Sequence, residues 1–532
     1  MDVLRKKERK GTMDFNNLRK SIILIPGLIF ISVIALGFYF DEQFIDALNT
    51  AFEWLMWNAG WMLSIGMLLF VAFMVVLLFH PIGKIKLGGQ KAKPNMTYWQ
   101  WFTVSLTAGI GTGIVFWGSA NPLLHAMNPA PGLGYEAGSN SAIIWAMRTT
   151  FMHWTLTPYA IYVTFAVILA YVYYNMKRKQ NVSAGFVPLI GDKAEKPKFA
   201  AFIDTLTVFA IVGGIAGSFG FGLLQLRSGL ETILDIEITG VWIYFVIAAV
   251  IIVAYITSSL TGLSKGITLL AKSNTTIFFA LMIFFLLFGP TAYIFNLMTQ
   301  SVGSYIGNFV ESMVYTAPYP DGELWPQWWD MFWWADWLSF GPIMGLFFLK
   351  LGYGRTIRQF VVVNWLLPAV FGIIWFSVFG GTVLYAQLFQ EIDMNYILEA
   401  DGVESLAFAA FDLVPLSAIL RVVMFVTIVI SFVTLSDSMV STISTTSLKE
   451  NSKVSEAPAY LKIFWGVLIG GAALVFTLTG GISGIQMVKT FAGFPILFVG
   501  VIMLAGFVKY MSKRPRNADG TFVEEEALAD DG

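Results

Sequence analysis

The chain alternates long apolar runs with short polar ones. Runs long enough to cross a hydrocarbon core of roughly 30 Å fall near 21–40, 60–80, 99–118, 141–175, 201–226 and 239–259. Six more fall near 266–296, 331–350, 359–385, 411–446, 458–479 and 484–511. The pattern predicts an all-α polytopic membrane protein of about 12 transmembrane helices. The first run, Ser21 to Phe40, is 20 residues long and lacks a small-residue cleavage motif. It reads as a spanning helix rather than the core of a signal peptide.

The polar connections divide by charge. Residues 1–20 hold seven Lys and Arg, and the stretches 81–98, 177–198, "LKLGYGRTIRQ" and "KYMSKRPR" are also basic. The alternate connections 41–58, 119–140, 297–330 and 386–404 contain no Lys or Arg. Basic loops face the cytoplasm, so both termini are expected there, in the inner (plasma) membrane. The outer connection 297–330 is expected to carry a surface helix, "MTQSVGSYIGNFVESMVY", and the acidic tail 512–532 to be disordered.

Composition narrows the class. The chain is 57% hydrophobic and 13% charged, with a mean hydropathy of +0.70, whereas a soluble domain is about a quarter charged. Lipid is therefore its solvent. A net charge of −1 argues against a nucleic-acid partner. Cysteine is absent and histidine occurs three times, without HExxH, GxxxxGK[ST] or GxSxG. No catalytic set, metal site or cofactor is expected, and no cytoplasmic domain that would relay a signal is visible, so an enzyme or a sensor is a poor fit.

Two runs make poor helices. The third reads "TAGIGTGIVFWGSANP", with Gly109, Gly111 and Gly113 at alternate positions, and the eighth contains "SFGPIMG". Each interior glycine costs about 1 kcal/mol relative to alanine, and proline about 3. Small residues also serve tight helix packing, but positions two apart do not share a helix face. Interrupted segments at matching places in two halves mark the midplane site of an inverted-repeat transporter. Segments three and eight are expected to open two five-helix repeats, 3–7 and 8–12, with two additional N-terminal helices. The chain then divides into 1–20, 21–98, 99–296, 297–330, 331–511 and 512–532.

Aromatic residues gather beside these breaks. Segment four holds Trp154, Tyr159 and Tyr162 around Pro158; segment eight holds Trp333, Trp334, Trp337 and Phe340. The spacings Trp334–Trp337, Trp333–Trp337 and Trp337–Phe340 place rings along one side of a helix. An interfacial aromatic belt accounts for "ELWPQWW" and for Trp333, and less well for the deeper rings. Facing rings in a desolvated cavity suit a quaternary ammonium, which cannot donate hydrogen bonds, at about 2 kcal/mol or more per contact. Asp336 lies among them. An intramembrane carboxylate is a functional candidate that would neutralise a cation, accept a hydrogen bond or carry a proton, unless it snorkels outward or caps its helix.

With "AGIGTGIVFWGSANP", "FMHWTLTPYAIY", "IDTLTVFAIVGGIAGSFGFGLLQL", "GPIMGLFFLKLGYGRTIRQF" and "SFVTLSDSMVST", the sequence resembles the betaine/choline/carnitine transporter family over residues 15 to 512. The resemblance implies two inverted repeats, alternating access, a central aromatic substrate site and a homotrimer. Trp154, Tyr162 and Trp337 fit the family's aromatic pattern. Tyr159 and Phe340 are aromatic replacements, and Asp336 departs from it.

The ion sites depart as well. Where sodium-coupled members carry Thr-Ser in segment ten, this chain has Thr434 and Leu435, and Ile211 and Ile215 stand where two threonines would in segment five. Lys272, about two turns into segment seven, either snorkels to the cytoplasm or supplies a fixed charge in place of sodium. The expectation is a sodium-independent secondary transporter of quaternary-ammonium compounds, working by exchange or proton coupling. The alternative is a permease for an amine or amino-acid-like substrate bound through Asp336.

Overall fold

The apolar runs are mostly helical over their described residues in a computed structural model, which describes residues 18–109, 112–261, 264–318, 324–449, 457–515, 517 and 522. The longer helices are α1 (Lys20–Ala59), α2 (Trp61–Phe79), α3 (Tyr98–Gly109), α4 (Thr112–Met127), α5 (Asn140–Trp154), α6 (Leu156–Tyr174) and α7 (Pro197–Leu234). They continue with α8 (Trp242–Thr261), α9 (Ser264–Phe288), α10 (Thr291–Gly307), α11 (Phe332–Leu351), α12 (Leu367–Phe389), α13 (Ser417–Thr446) and α14 (Ala459–Lys513). Among the described residues there are two isolated β-bridges and no strand. Seven helical stretches are each long and apolar enough to cross a membrane, and a bent pair makes an eighth.

The boundaries differ from expectation where backbone chemistry intervenes. The last two runs are two helical arms of α14, joined without a loop at a non-helical Gly481 with φ 53 and ψ −135, a conformation open to glycine for want of a Cβ. Residues 41–58, expected as a loop, continue α1 beyond a non-helical Asp41. The seventh run ends at Phe288, short of 296, because Gly289-Pro290 breaks it. The chain leaves at 110° as α10, so the expected surface helix begins earlier than thought. Proline lacks the N–H and crowds the preceding turn.

Segment eight is not interrupted. α11 runs unbroken through Gly341-Pro342, and its glycines serve packing: a Cβ on Gly345 would stand 2.6 Å from Cβ of Phe165 on α6. Such small residues let membrane helices approach closely. The break lies in segment four instead, at Thr155 (φ −120, ψ −104) between α5 and α6. In segment three α3 and α4 are described on either side of Ile110 and Gly111, which lie outside the described residues.

Burial orders the bundle. In the most apolar window of the α5–α6 stretch 94% of residues are buried, against 28% in α1, so α6 is central and α1 peripheral. The basic connections gather at one end: Lys86 bridges Thr356, the Gly88 N–H donates to Oδ1 of Asn175 at 3.2 Å, and Arg19 pairs with Asp204 at 2.5 Å. Connections without Lys or Arg meet at the other end, where Phe52 lies 4.1 Å from Trp328 and His125 lies 5.1 Å from Trp325, ring centre to ring centre.

Candidate functional site

The break between α5 and α6 begins the site. Pro158 lacks the N–H that Trp154 would receive in a continuous helix, and the backbone turns at Thr155. Carbonyls beside the turn are taken by indoles of neighbouring helices. Nε1 of Trp337 donates to the His153 carbonyl at 2.9 Å, and Nε1 of Trp365 to the Leu156 carbonyl at 2.7 Å. Buried carbonyls need such partners, so the break fixes where Trp337 stands.

α11 presents Trp333, Asp336, Trp337, Phe340 and Met344 to a cavity. Their spacings of three and four put them on one helix face. Trp154 and Tyr162 face them, and α4 adds Gly113, Ile114 and Trp117. Ser218 and Phe221 of α7, Leu435 and Met439 of α13, and Lys489 of α14 complete the walls. Ring centres of Trp154 and Trp337 are 5.3 Å apart at 89°, and those of Tyr162 and Trp337 5.8 Å apart at 74°. Gly113 makes room for Trp154, whose ring atom Cη2 would lie 3.1 Å from any Cβ there.

One ion pair crosses the cavity wall. Lys489 Nζ lies 2.8 Å from both Asp336 oxygens, and both side chains are buried. Hydrogen-bond geometry is met at Oδ2 alone, leaving Oδ1 without such a bond. The lysine stem lies in a groove made by Gly217: a Cβ there would strike its Cγ at 2.3 Å. Its Nζ stands 5.1 Å from the Phe221 ring centre and 6.0 Å from that of Phe340. Beside Trp154, Nε2 of His153 meets Oδ1 of Asp330 at 2.6 Å, both buried.

The structure brings together Trp154, Tyr162, Asp336, Trp337, Phe340 and Gly113, and leaves Tyr159, Trp334 and Thr434 outside the lining. Tyr159 stands behind Tyr162, their rings 6.4 Å apart and edge to face. Trp334 is buried outside the cavity, while Trp333 enters it, edge-on to Trp117 at 5.2 Å and 4.6 Å from Trp154. Trp333 shares a face with Trp337 and Phe340; Trp334 is turned away by about 100°. The belt assignment for Trp333 is thus overturned, while Trp325 and Trp329 are half-buried and pack against His125.

Thr434 Oγ1 donates to the Ile430 carbonyl at 2.7 Å, and its neighbour Leu435 lines the cavity. Gly109 lies in α3, Gly111 lies outside the described residues, and so does the side chain of Lys272. Sequence reasoning missed Lys489, although a lysine inside the apolar run 484–511 carries the same signal as Asp336. Among the described residues no group of His, Asp and Glu is arranged to hold a metal.

An all-α polytopic membrane protein with a broken central helix beside a buried aromatic cavity has the build of a transporter. Residues 21–516 match the betaine/carnitine/choline family transporter (BCCT) pattern, and the chain belongs to that family. Its members are transporters, not enzymes. The chain is 30% identical to an ectoine/hydroxyectoine transporter of Virgibacillus pantothenticus, over 95% of this chain and 99% of that one. It is 32% identical to the glycine betaine transporter OpuD of Bacillus subtilis, over 86% and 87%. An osmo-dependent choline transporter, BetT2, of Acinetobacter baylyi is 28% identical over 93% of this chain and 71% of that one.

Proposed function

We propose that this protein is a secondary active transporter of small quaternary-ammonium compounds of the glycine betaine, choline or carnitine type. It works by alternating access in the plasma membrane, with both termini cytoplasmic. The observation that carries the reading is the cavity walled by Trp154, Tyr162 and Trp337. Such rings hold a cation that cannot donate hydrogen bonds. The relatives named for glycine betaine and choline agree with this chemistry.

The proposal extends to architecture: repeats at 99–296 and 331–511 exchange access around the cavity, and the unit assembles as a homotrimer. Transport is independent of sodium, since Leu435 lines the cavity and the Thr434 hydroxyl is spent on its own helix. Coupling then comes from substrate exchange or from a proton. Asp336 supports a second reading, an amine or amino-acid-like substrate with N–H donors, because its carboxylate lines the cavity.

Uptake of labelled glycine betaine, choline and carnitine into proteoliposomes, with and without a sodium gradient, tests both statements. Accumulation of at least one of them, unchanged when potassium replaces sodium, is expected. Uptake that vanishes without sodium would overturn the ion reading, and no uptake of any of the three would overturn the substrate reading.

A further inference from the structure

We propose that the Asp336–Lys489 pair makes the site selective for zwitterions over simple cations. The occupant's carboxylate takes Lys489, while its cationic centre rests on Trp154, Trp337 and Asp336. This rests on the aromatic cavity being the substrate site.

Asp336 and Lys489 line one cavity, buried and in contact, so the empty site carries −1 and +1 and is neutral overall. A cation such as choline would add an uncompensated charge in a low-dielectric interior, where that is costly. A zwitterion adds none. It also supplies one partner for each protein charge, so both can be satisfied with or without an occupant.

The geometry agrees. An ammonium has three donors, and Lys489 spends one hydrogen bond on Oδ2 of Asp336. Oδ1 is held by the same ammonium at 2.8 Å. With both Asp336 oxygens in contact with Nζ, the third proton of the ammonium remains for an anionic group in the cavity that both side chains line. Gly217 holds the lysine stem in its groove, which fixes the distance between the ammonium and the rings. An aspartate alone would favour a cation and a lysine alone an anion; the pair favours a molecule bearing both.

Glycine betaine and choline separate the cases, because they share a trimethylammonium head and differ in carboxylate against hydroxyl. Ectoine serves as a second zwitterion. Each is titrated against the purified protein by tryptophan fluorescence. A charge-assisted hydrogen bond predicts that the wild type prefers a zwitterion to choline by roughly 10- to 100-fold.

Lys489→Met is expected to lose that margin for the zwitterion and to bind choline more tightly, Asp336 now being uncompensated. The double variant Asp336→Asn/Lys489→Met leaves no buried charge, so it keeps the test valid if the single variant does not fold. It should bind zwitterion and choline within about threefold of each other, a gap under 1 kcal/mol. Equal binding of zwitterion and choline by the wild type, or a double variant that keeps the wild-type ratio, overturns the role of the pair and leaves the aromatic site standing. Absence of binding for all three ligands removes the site and the pair together.

Discussion

Trp337 serves the site twice. Its ring faces Trp154 and Tyr162, and its indole N–H closes the His153 carbonyl beside the helix break. The two functions separate by substitution. Trp337→Phe keeps a ring but strands a buried carbonyl, at roughly 1–3 kcal/mol, so the melting temperature should fall while some ligand binding survives. Trp337→Ala removes the ring as well, and affinity for the preferred ligand should fall by roughly 30-fold or more, the equivalent of about 2 kcal/mol. Fluorescence titration and thermal denaturation in detergent read both effects. Binding unchanged in the alanine variant would show that the substrate lies elsewhere. Trp337 was legible in the sequence from its spacing, whereas its hydrogen bond was not, because the acceptor belongs to another helix.

At the scale of elements, the cavity depends on how closely α11 lies against α6. Gly345 sets that approach, with Phe165 at 2.6 Å from its missing Cβ. Gly345→Leu should overpack the seam at a cost of about 1–3 kcal/mol. The melting temperature falls, and because the same helix carries Asp336 and Trp337, ligand affinity falls with it. A variant that melts and binds like the wild type would mean the seam is loose. The glycines and proline of segment eight suggested a broken helix; the break is at Thr155, three residues before Pro158 in segment four. Composition shows that a helix carries a breaker. Neighbouring side chains decide whether its backbone yields, since a membrane interior leaves freed carbonyls only protein partners.

For the whole molecule, charge along the chain and geometry agree. The basic connections touch one another at one end, and those without Lys or Arg touch at the other. The absence of cysteine gives a clean background for labelling from one side of the membrane. A cysteine at exposed Lys91, among the basic connections, should react with an impermeant maleimide only after the cells are opened. One at Tyr396, 66% exposed in the connection 386–404, should react in intact cells. The reverse pattern would invert the orientation derived from the positive charges.

The sequence by itself determined the solvent, the succession of helices, the grouping of basic connections and the aromatic faces of segments four and eight. These are properties of neighbouring residues, and periodicity reports neighbours. The tertiary structure alone decided that Trp333 rather than Trp334 enters the cavity, that Gly341-Pro342 stays helical, and that Lys489 meets Asp336 across 153 positions of chain. Each of those depends on which helix lies opposite. A buried charge declares in sequence that it needs a partner, and only packing says which one it has.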